Sequence, residues 1–350
     1  MKYMKLSFRG WLTLITLVLL AIVIVAAWPQ IVKAWGLLGQ VDLWILALLI
    51  PVQFASYYAT GGMIFSYLRA KGNLEDMSRW SMTRLALELN FVNHILPSGG
   101  AAGFSYLAWI LKKHHVSIAR STMAQIIRFV LTFLSFIMLL IVAMIILAFR
   151  HEINWTISGI GALLAVVAIG GTLGGIWLIK DNARLRRFSA WLTKTVNKFV
   201  RWITRGKKRK LVDGEVILEF FDGLHDDYLA IRRERKILIR PFIWAAIANI
   251  LDVALLWISF WALGYPLDAA LLFIAFGIAS IAGAISITPG GTGVYEAVMV
   301  TFLAAAGVPA EVAIAGTLLA RVTLLAGTIA FGYVFYQLTI VKYGKPPANS

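Results

Sequence analysis

Six ionisable side chains sit within or beside long apolar stretches: Arg84, Glu88, Arg128, Asp252, Glu296 and Arg321. At the centre of a bilayer each would cost about 2.5–3.5 kcal/mol on insertion scales, roughly 15–20 kcal/mol for all six unpaired. A fold holds only about 5–15 kcal/mol in reserve. These groups must therefore be paired, wet or close to an interface. Three are positive and three negative, so they can neutralise one another. Arg84 and Glu88 stand four residues apart, the spacing of a helical ion pair near the inner surface. The other four lie deeper, where a working role is favoured. Arg128 and Arg321 suit an anionic ligand such as a phosphate. Asp252 and Glu296 suit charge pairing or proton coupling, with Glu88, Asn93 and His94 as further candidates. His94 reads equally well as a satisfied interior polar group.

Two breaks in the apolar pattern supply a second chemistry. Ile287-Thr288-Pro289-Gly290-Gly291-Thr292-Gly293-Val294-Tyr295-Glu296 interrupts an apolar run from Ala269 to Ala306. Proline lacks an N–H and glycine loosens the backbone, so a helix breaks at Pro289. Leu96-Pro97-Ser98-Gly99-Gly100-Ala101-Ala102-Gly103 is a partner break at Pro97. A new helix starts after Gly100 and another after Gly291, each offering free N–H groups and a positive dipole end to an anion. Ser98, Gly99, Gly100, Gly290, Gly291, Thr292 and Tyr295 are thus expected at a substrate site with Arg128 and Arg321. Glu296 falls in the first turn after its break, where the dipole favours a carboxylate. The expectation is that the two breaks face each other. Gly291-Thr292-Gly293 is no nucleotide loop, since no strand precedes it and no Lys-Ser/Thr follows.

These groups need elements that hold them inside a membrane. The 350 residues are 60% hydrophobic and 14% charged, with a mean hydropathy of +0.80. A soluble domain carries about a quarter charged residues, whereas several stretches here exceed the roughly 18 apolar residues that cross a bilayer. The absence of cysteine excludes disulfides, thiolate metal sites and cysteine nucleophiles. The five histidines show no metal-binding spacing, and neither a metal nor another cofactor is expected. A net charge of +16 suggests nucleic acid only in a soluble protein. Here it reflects basic cytoplasmic loops.

In chain order, Trp11–Trp28 reads as a retained first span, followed by spans over Leu43–Leu68, Ile118–Phe149, Ile157–Ile179, Phe242–Leu263 and Val312–Ile340. The short arms around Pro97, and again around Pro289, read as re-entrant hairpins. The fold expected is an all-α polytopic membrane protein of about six full spans and two re-entrant hairpins arranged as inverted repeats. Its parts are residues 1–40 (first span and external loop), 41–179 (first membrane repeat), 180–240 (cytosolic loop), 241–341 (second repeat) and 342–350 (tail). On this topology external loops hold only Lys33 and Arg150, while 28 Lys and Arg face the cytoplasm. That asymmetry places both termini inside. The hairpins then enter from opposite sides. Arg128 follows Pro97 by 31 residues and Arg321 follows Pro289 by 32. Inverted repeats with helices broken at the midplane are a transporter architecture.

The segment Lys180–Arg240 carries 17 Lys and Arg against 8 Asp and Glu. Leu185, Phe188, Leu192, Phe199 and Ile203 recur at helical spacing, as do Ile217, Phe220, Phe221, Leu224 and Ile231. Two basic amphipathic helices on an anionic leaflet would read this way, as would a plain cytosolic loop.

The run Thr288–Glu296, followed by the span carrying Arg321, resembles the lysylphosphatidylglycerol synthase transmembrane (flippase-like) family. So does Asn93-His94-Ile95-Leu96-Pro97-Ser98-Gly99-Gly100, and the resemblance covers Leu43 to Ile340. It implies an inner-membrane protein related to the lipid-translocating half of those synthases. The soluble aminoacyltransferase domain of the bifunctional members has no counterpart in this sequence, so lipid transport rather than lysyl transfer is expected. The substrate expected is a membrane phospholipid or lipid-linked anionic head group, with no nucleic-acid partner. The alternatives are an intramembrane enzyme using Glu88, His94 and Asp252, and an accessory protein recruiting a lipid synthase. Self-association is a further possibility.

Overall fold

A computed structural model describes residues 36–37, 39–95, 101–149, 155–203, 222, 228–229, 232–285 and 291–344. Eleven α-helices are defined among them, with no strand. They are α1 Leu43–Ala47, α2 Leu49–Ala70, α3 Arg79–Ile95, α4 Ala101–Lys112, α5 Ile118–Phe149, α6 Trp155–Ile179, α7 Asn182–Ile203, α8 Ile239–Ala262, α9 Ala269–Ile285, α10 Val294–Ala305 and α11 Ala310–Tyr343. Helix is the form that satisfies every backbone group within one segment, as a lipid environment requires. Asp42 caps the first helix through Trp44 N and Ile45 N, at 2.8 and 3.2 Å. Asp268 caps α9 through Ala270 N and Leu271 N, at 2.7 and 3.1 Å.

Among the described residues four stretches are long and apolar enough to cross a membrane: Leu43–Ala70, Ile118–Phe149, Arg235–Ala262 and Ala310–Tyr343. Within α6 the apolar stretch Ala162–Gly175 is shorter. The span expected over Trp11–Trp28 lies outside the described residues.

The hairpin arms are short. α3 and α9 have 17 residues each, and α4 and α10 have 12 each. At 1.5 Å per residue these reach about 25 and 18 Å, less than a hydrocarbon core of about 30 Å. The spans that follow have 32 and 34 residues. Lengths thus match element by element between residues 43–149 and 235–343.

Packing follows the same pairing. α2 lies along α8, and the long arm of each hairpin packs on the arginine-bearing span of the other half, α3 on α11 and α9 on α5. Each short arm packs on its own half's span, α4 on α5 and α10 on α11. Small residues permit these approaches. A Cβ at Gly277 of α9 would lie 2.2 Å from the Phe136 ring of α5, and one at Gly332 of α11 would lie 2.4 Å from Phe91 of α3.

α7 realises the first of the two amphipathic stretches. Asp181 caps it through Ala183 N at 2.9 Å and pairs with Arg184 at 3.2 Å. Leu185 is buried, and Trp191 stands exposed. The second stretch, Ile217–Ile231, falls largely outside the described residues.

Candidate intramembrane polar site

The second break is held open by its glycines. Gly291 and Gly293 have φ of +73° and +89°, conformations that L side chains rarely adopt. A Cβ on Gly291 would lie 2.7 Å from the Gly283 Cα, so the turn rests backbone to backbone on α9. The helix beyond starts at Val294, with Gly293 as its N-cap. It therefore begins two residues later than a start directly after Gly291, because the positive-φ glycines keep the chain in a turn. Thr292 stands within that turn.

Glu296 lies in the first turn of α10 and serves two partners. Its Oε2 accepts from Gly293 N at 2.6 Å, capping the helix, and its Oε1 accepts from Arg321 Nε at 2.6 Å. Both side chains are only partly exposed, 17% for Glu296 and 23% for Arg321. The Arg321 guanidinium also lies 4.5 Å from the Tyr295 ring centroid. The carboxylate and the aromatic face thus already satisfy this arginine, while the helix start is satisfied by the same carboxylate.

The first hairpin presents a different arrangement. α4 has no acidic residue in its first turn. Asn93 of α3 reaches over Gly103, where a Cβ would lie 2.1 Å from Asn93 Oδ1. From α5, Gln125 Nε2 reaches the Gly103 carbonyl at 3.5 Å. Phe104 stacks on Phe129 at 5.8 Å, and the Arg128 guanidinium lies 4.7 Å from the Phe129 ring centroid. Asn93 Oδ1, Gln125 Oε1 and Arg128 Nε are all buried without a hydrogen-bond partner. Arg128 makes no ion pair among the described residues. Buried polar atoms are normally satisfied, and these three, one on α3 and two a turn apart on α5, are not.

A chain of polar contacts joins the two arginine helices. One and two turns beyond Arg128, the Thr132 carbonyl and Ser135 Oγ accept from Asn249 Nδ2 of α8, at 3.0 and 2.7 Å. One turn beyond Asn249, Asp252 Oδ1 accepts from Ser56 Oγ of α2 at 2.6 Å. The neighbouring Tyr57 hydroxyl meets Thr328 Oγ1 of α11 and accepts from Gln53 Nε2 at 2.9 Å. Gln53 Nε2 also donates to the Leu324 carbonyl at 2.7 Å, one turn from Arg321. Gly327 makes this approach possible, since a Cβ there would lie 2.2 Å from Gln53 Oε1. The seam crosses four helices, α5, α8, α2 and α11.

Arg84 and Glu88 do not form the ion pair that their spacing suggests. Glu88 points inward, where its Oε2 accepts from the Tyr106 hydroxyl at 2.6 Å and its Oε1 from Thr339 Oγ1 at 2.8 Å. Arg84 turns to the Phe335 ring, 5.2 Å from its centroid. Two hydroxyls from packed neighbours replace the i, i+4 cation. They also tie both arms of the first hairpin to α11.

Pro97, Ser98, Gly99, Gly100, Pro289 and Gly290 lie outside the described residues, as does the side chain of His94 on the last turn of α3. Among the described helices the hairpins do not pack on one another. Among the described residues Arg128 stands with Gln125 and Phe129, and Arg321 with Glu296 and Tyr295; the expected facing of the two breaks falls outside the described residues. Gln53, Ser56, Tyr57, Ser135, Asn249 and Thr328, with Asp252, form the seam between the Arg128 and Arg321 helices. Their only sequence signal was polarity inside apolar spans. A separate groove of about 350 Å³ between α5, α8 and α9 is lined by apolar residues including Leu139, Ile146, Val253, Trp257 and Phe273.

Residues 11–332 match the family described as the lysylphosphatidylglycerol synthase TM region. A UPF0104 membrane protein of Methanothermobacter thermautotrophicus is 23% identical over 263 residues, covering 69% of this chain and 75% of its own. A UPF0104 membrane protein of Methanocaldococcus jannaschii is 25% identical over 256 residues, covering 72% of each chain. The family match takes in both hairpins, both arginine-bearing helices and the seam between them. The chain therefore belongs to the family of the lysylphosphatidylglycerol synthase TM region, and it is a multi-pass helical membrane protein.

Proposed function

We propose that this protein moves a phospholipid, or a lipid-linked anionic head group, between leaflets by alternating access. The observation that carries this reading is the polar seam from Thr132 of the Arg128 helix through Asn249, Asp252, Ser56 and Tyr57 to the Arg321 helix. Charged and amide groups at membrane depth are costly and mark pathways for polar cargo. The head group travels along this seam while acyl chains stay in the bilayer and in the apolar groove beside α8.

Residues 41–149 and 240–340 act as inverted repeats. The matched helix lengths and the exchanged packing support this, as does the concentration of basic residues in the loops assigned to the cytoplasm. Each half lends its long hairpin arm to the other half's arginine span, so rocking one half moves both clusters together. The protein resides in the inner membrane with both termini cytoplasmic. α7 rests on the anionic inner leaflet through its arginines and lysines.

Full-length protein in proteoliposomes with fluorescent phosphatidylglycerol tests the proposal through chemical quenching of the outer leaflet. Wild-type protein should raise the quenched fraction above its starting half. Replacing Asp252 by asparagine should slow this while the protein still folds. Failure of the wild type to move any anionic phospholipid in either direction would refute the reading.

A further inference from the structure

We propose that the two hairpin arginines are not equivalent. Glu296 fills the Arg321 half as an internal anion, and Arg128 with Asn93 and Gln125 forms the one open anion subsite among the described residues. It takes a single phosphate ester that also carries a hydroxyl donor.

The argument compares two matched places in the fold. In the second hairpin one carboxylate performs two tasks, accepting from the Gly293 N–H at the start of α10 and from Arg321 Nε, each at 2.6 Å. In the first hairpin the corresponding helix, α4, has no acid in its first turn. Positions 104 and 105 there are Phe and Ser. Arg128 Nε is nonetheless buried and unpartnered. An arginine left without a counter-anion in this setting destabilises the protein. An anion supplied from outside would do for Arg128 what Glu296 does for Arg321.

The surrounding amides narrow the ligand. Gln125 is 1% exposed, and its nitrogen is directed at the Gly103 carbonyl, leaving Oε1 as an acceptor without a donor. Asn93 Oδ1 is a second such acceptor over the same turn. A bare inorganic anion satisfies Arg128 and leaves both acceptors unpaired. A phosphate ester bearing hydroxyls satisfies all three. A lipid head group and a soluble glycerol phosphate share this chemistry. The lipid source rests on the transport reading above, whereas the subsite itself does not.

Calorimetric titration of the full-length protein in micelles tests the assignment. The probes are dihexanoyl phosphatidylglycerol, dihexanoyl phosphatidylmethanol and glycerol 3-phosphate. Wild-type protein should bind about one phosphatidylglycerol per chain, with phosphatidylmethanol, which lacks the hydroxyls, about fivefold weaker. Arg128→Gln should weaken binding about tenfold or more, as expected for a lost charge-assisted contact. It should also fold at least as well as wild type, because it removes an unpaired charge. The double variant Glu296→Gln with Arg321→Gln, which deletes the internal pair, should retain the affinity within about twofold.

Unchanged binding by Arg128→Gln, two sites per chain, or loss of binding in the double variant would overturn the proposal. Equal affinity for the two lipids would overturn the hydroxyl assignment. Arg128-dependent saturation by glycerol 3-phosphate with no lipid bound would uphold the subsite and remove the transport reading. Lipid movement without Arg128-dependent binding would do the reverse.

Discussion

Replacing Glu296 by glutamine removes the counter-charge of Arg321 and weakens the cap on α10. The carboxylate makes two 2.6 Å contacts, both with partly buried partners. A charge-assisted hydrogen bond contributes about 1.5–3 kcal/mol. The glutamine carbonyl can still accept from Gly293 N, so the cap is weakened rather than lost. Arg321 keeps the Tyr295 face but loses its acid. The single variant should therefore cost about 2–4 kcal/mol. Arg321→Gln should cost less, about 1–3 kcal/mol, because Glu296 still caps the helix. The double variant should fall short of the sum by about 1.5–3 kcal/mol, the coupling of the pair. Reversible unfolding of the full-length protein in mixed micelles, followed by tryptophan fluorescence, measures all three. Additivity to within about 0.5 kcal/mol would refute the claim that Glu296 acts as the internal anion of this half.

The glycines of the second break should separate by geometry: Gly291→Ala meets both a positive φ and the Gly283 backbone at 2.7 Å, whereas Gly293→Ala meets only the φ. The first should lower the unfolding midpoint clearly more than the second, and Gly283→Ala, with its nearest neighbour at 3.5 Å, least of all. Tyr106→Phe should cost about 1–3 kcal/mol in the same unfolding measurement, since it removes a 2.6 Å donor from buried Glu88. His114, in the turn after α4, has its pKa lowered from the usual 6.5, first by burial and then by Lys342 and His115. Folding therefore favours the neutral ring. Its contribution to stability is complete above about pH 6.5 and is lost as pH falls through the lower folded value. Thermal midpoints at pH 7.5 and pH 5 should differ more in wild type than in His114→Gln. Finally, the cysteine-free background allows single cysteines to report sidedness: in intact cells an impermeant maleimide should label Gly307→Cys and spare Lys113→Cys.

Much of the architecture was legible because a bilayer restricts the options. Apolar runs of spanning length become helices, and the glycines at 291 and 293 hold one such run in a turn. The hairpin around Gly291 was readable for the same reason, as was the nearness of Glu296 to a helix start. The partner of Glu88 was not. An i, i+4 rule describes an isolated helix surface, whereas Glu88 faces inward and meets Tyr106 and Thr339, the second of them 251 residues away. The seam was equally hidden, since Gln53, Ser56 and Thr328 are ordinary polar residues until α2 packs between α8 and α11. The contrast between the two arginines required both at once. Their spacing from the prolines is nearly equal, and only the three-dimensional arrangement reveals an acid beside Arg321 and, among the described residues, none paired with Arg128.

The most direct test of the account is an experimental density map of the full-length protein in nanodiscs containing phosphatidylglycerol. The account predicts a head group at Arg128, near Asn93 and Gln125, with acyl density running along α8 and Arg321 still bound to Glu296. A map in which lipid lies only on the outer apolar surface, with the Arg128 cluster closed by protein side chains, would contradict it.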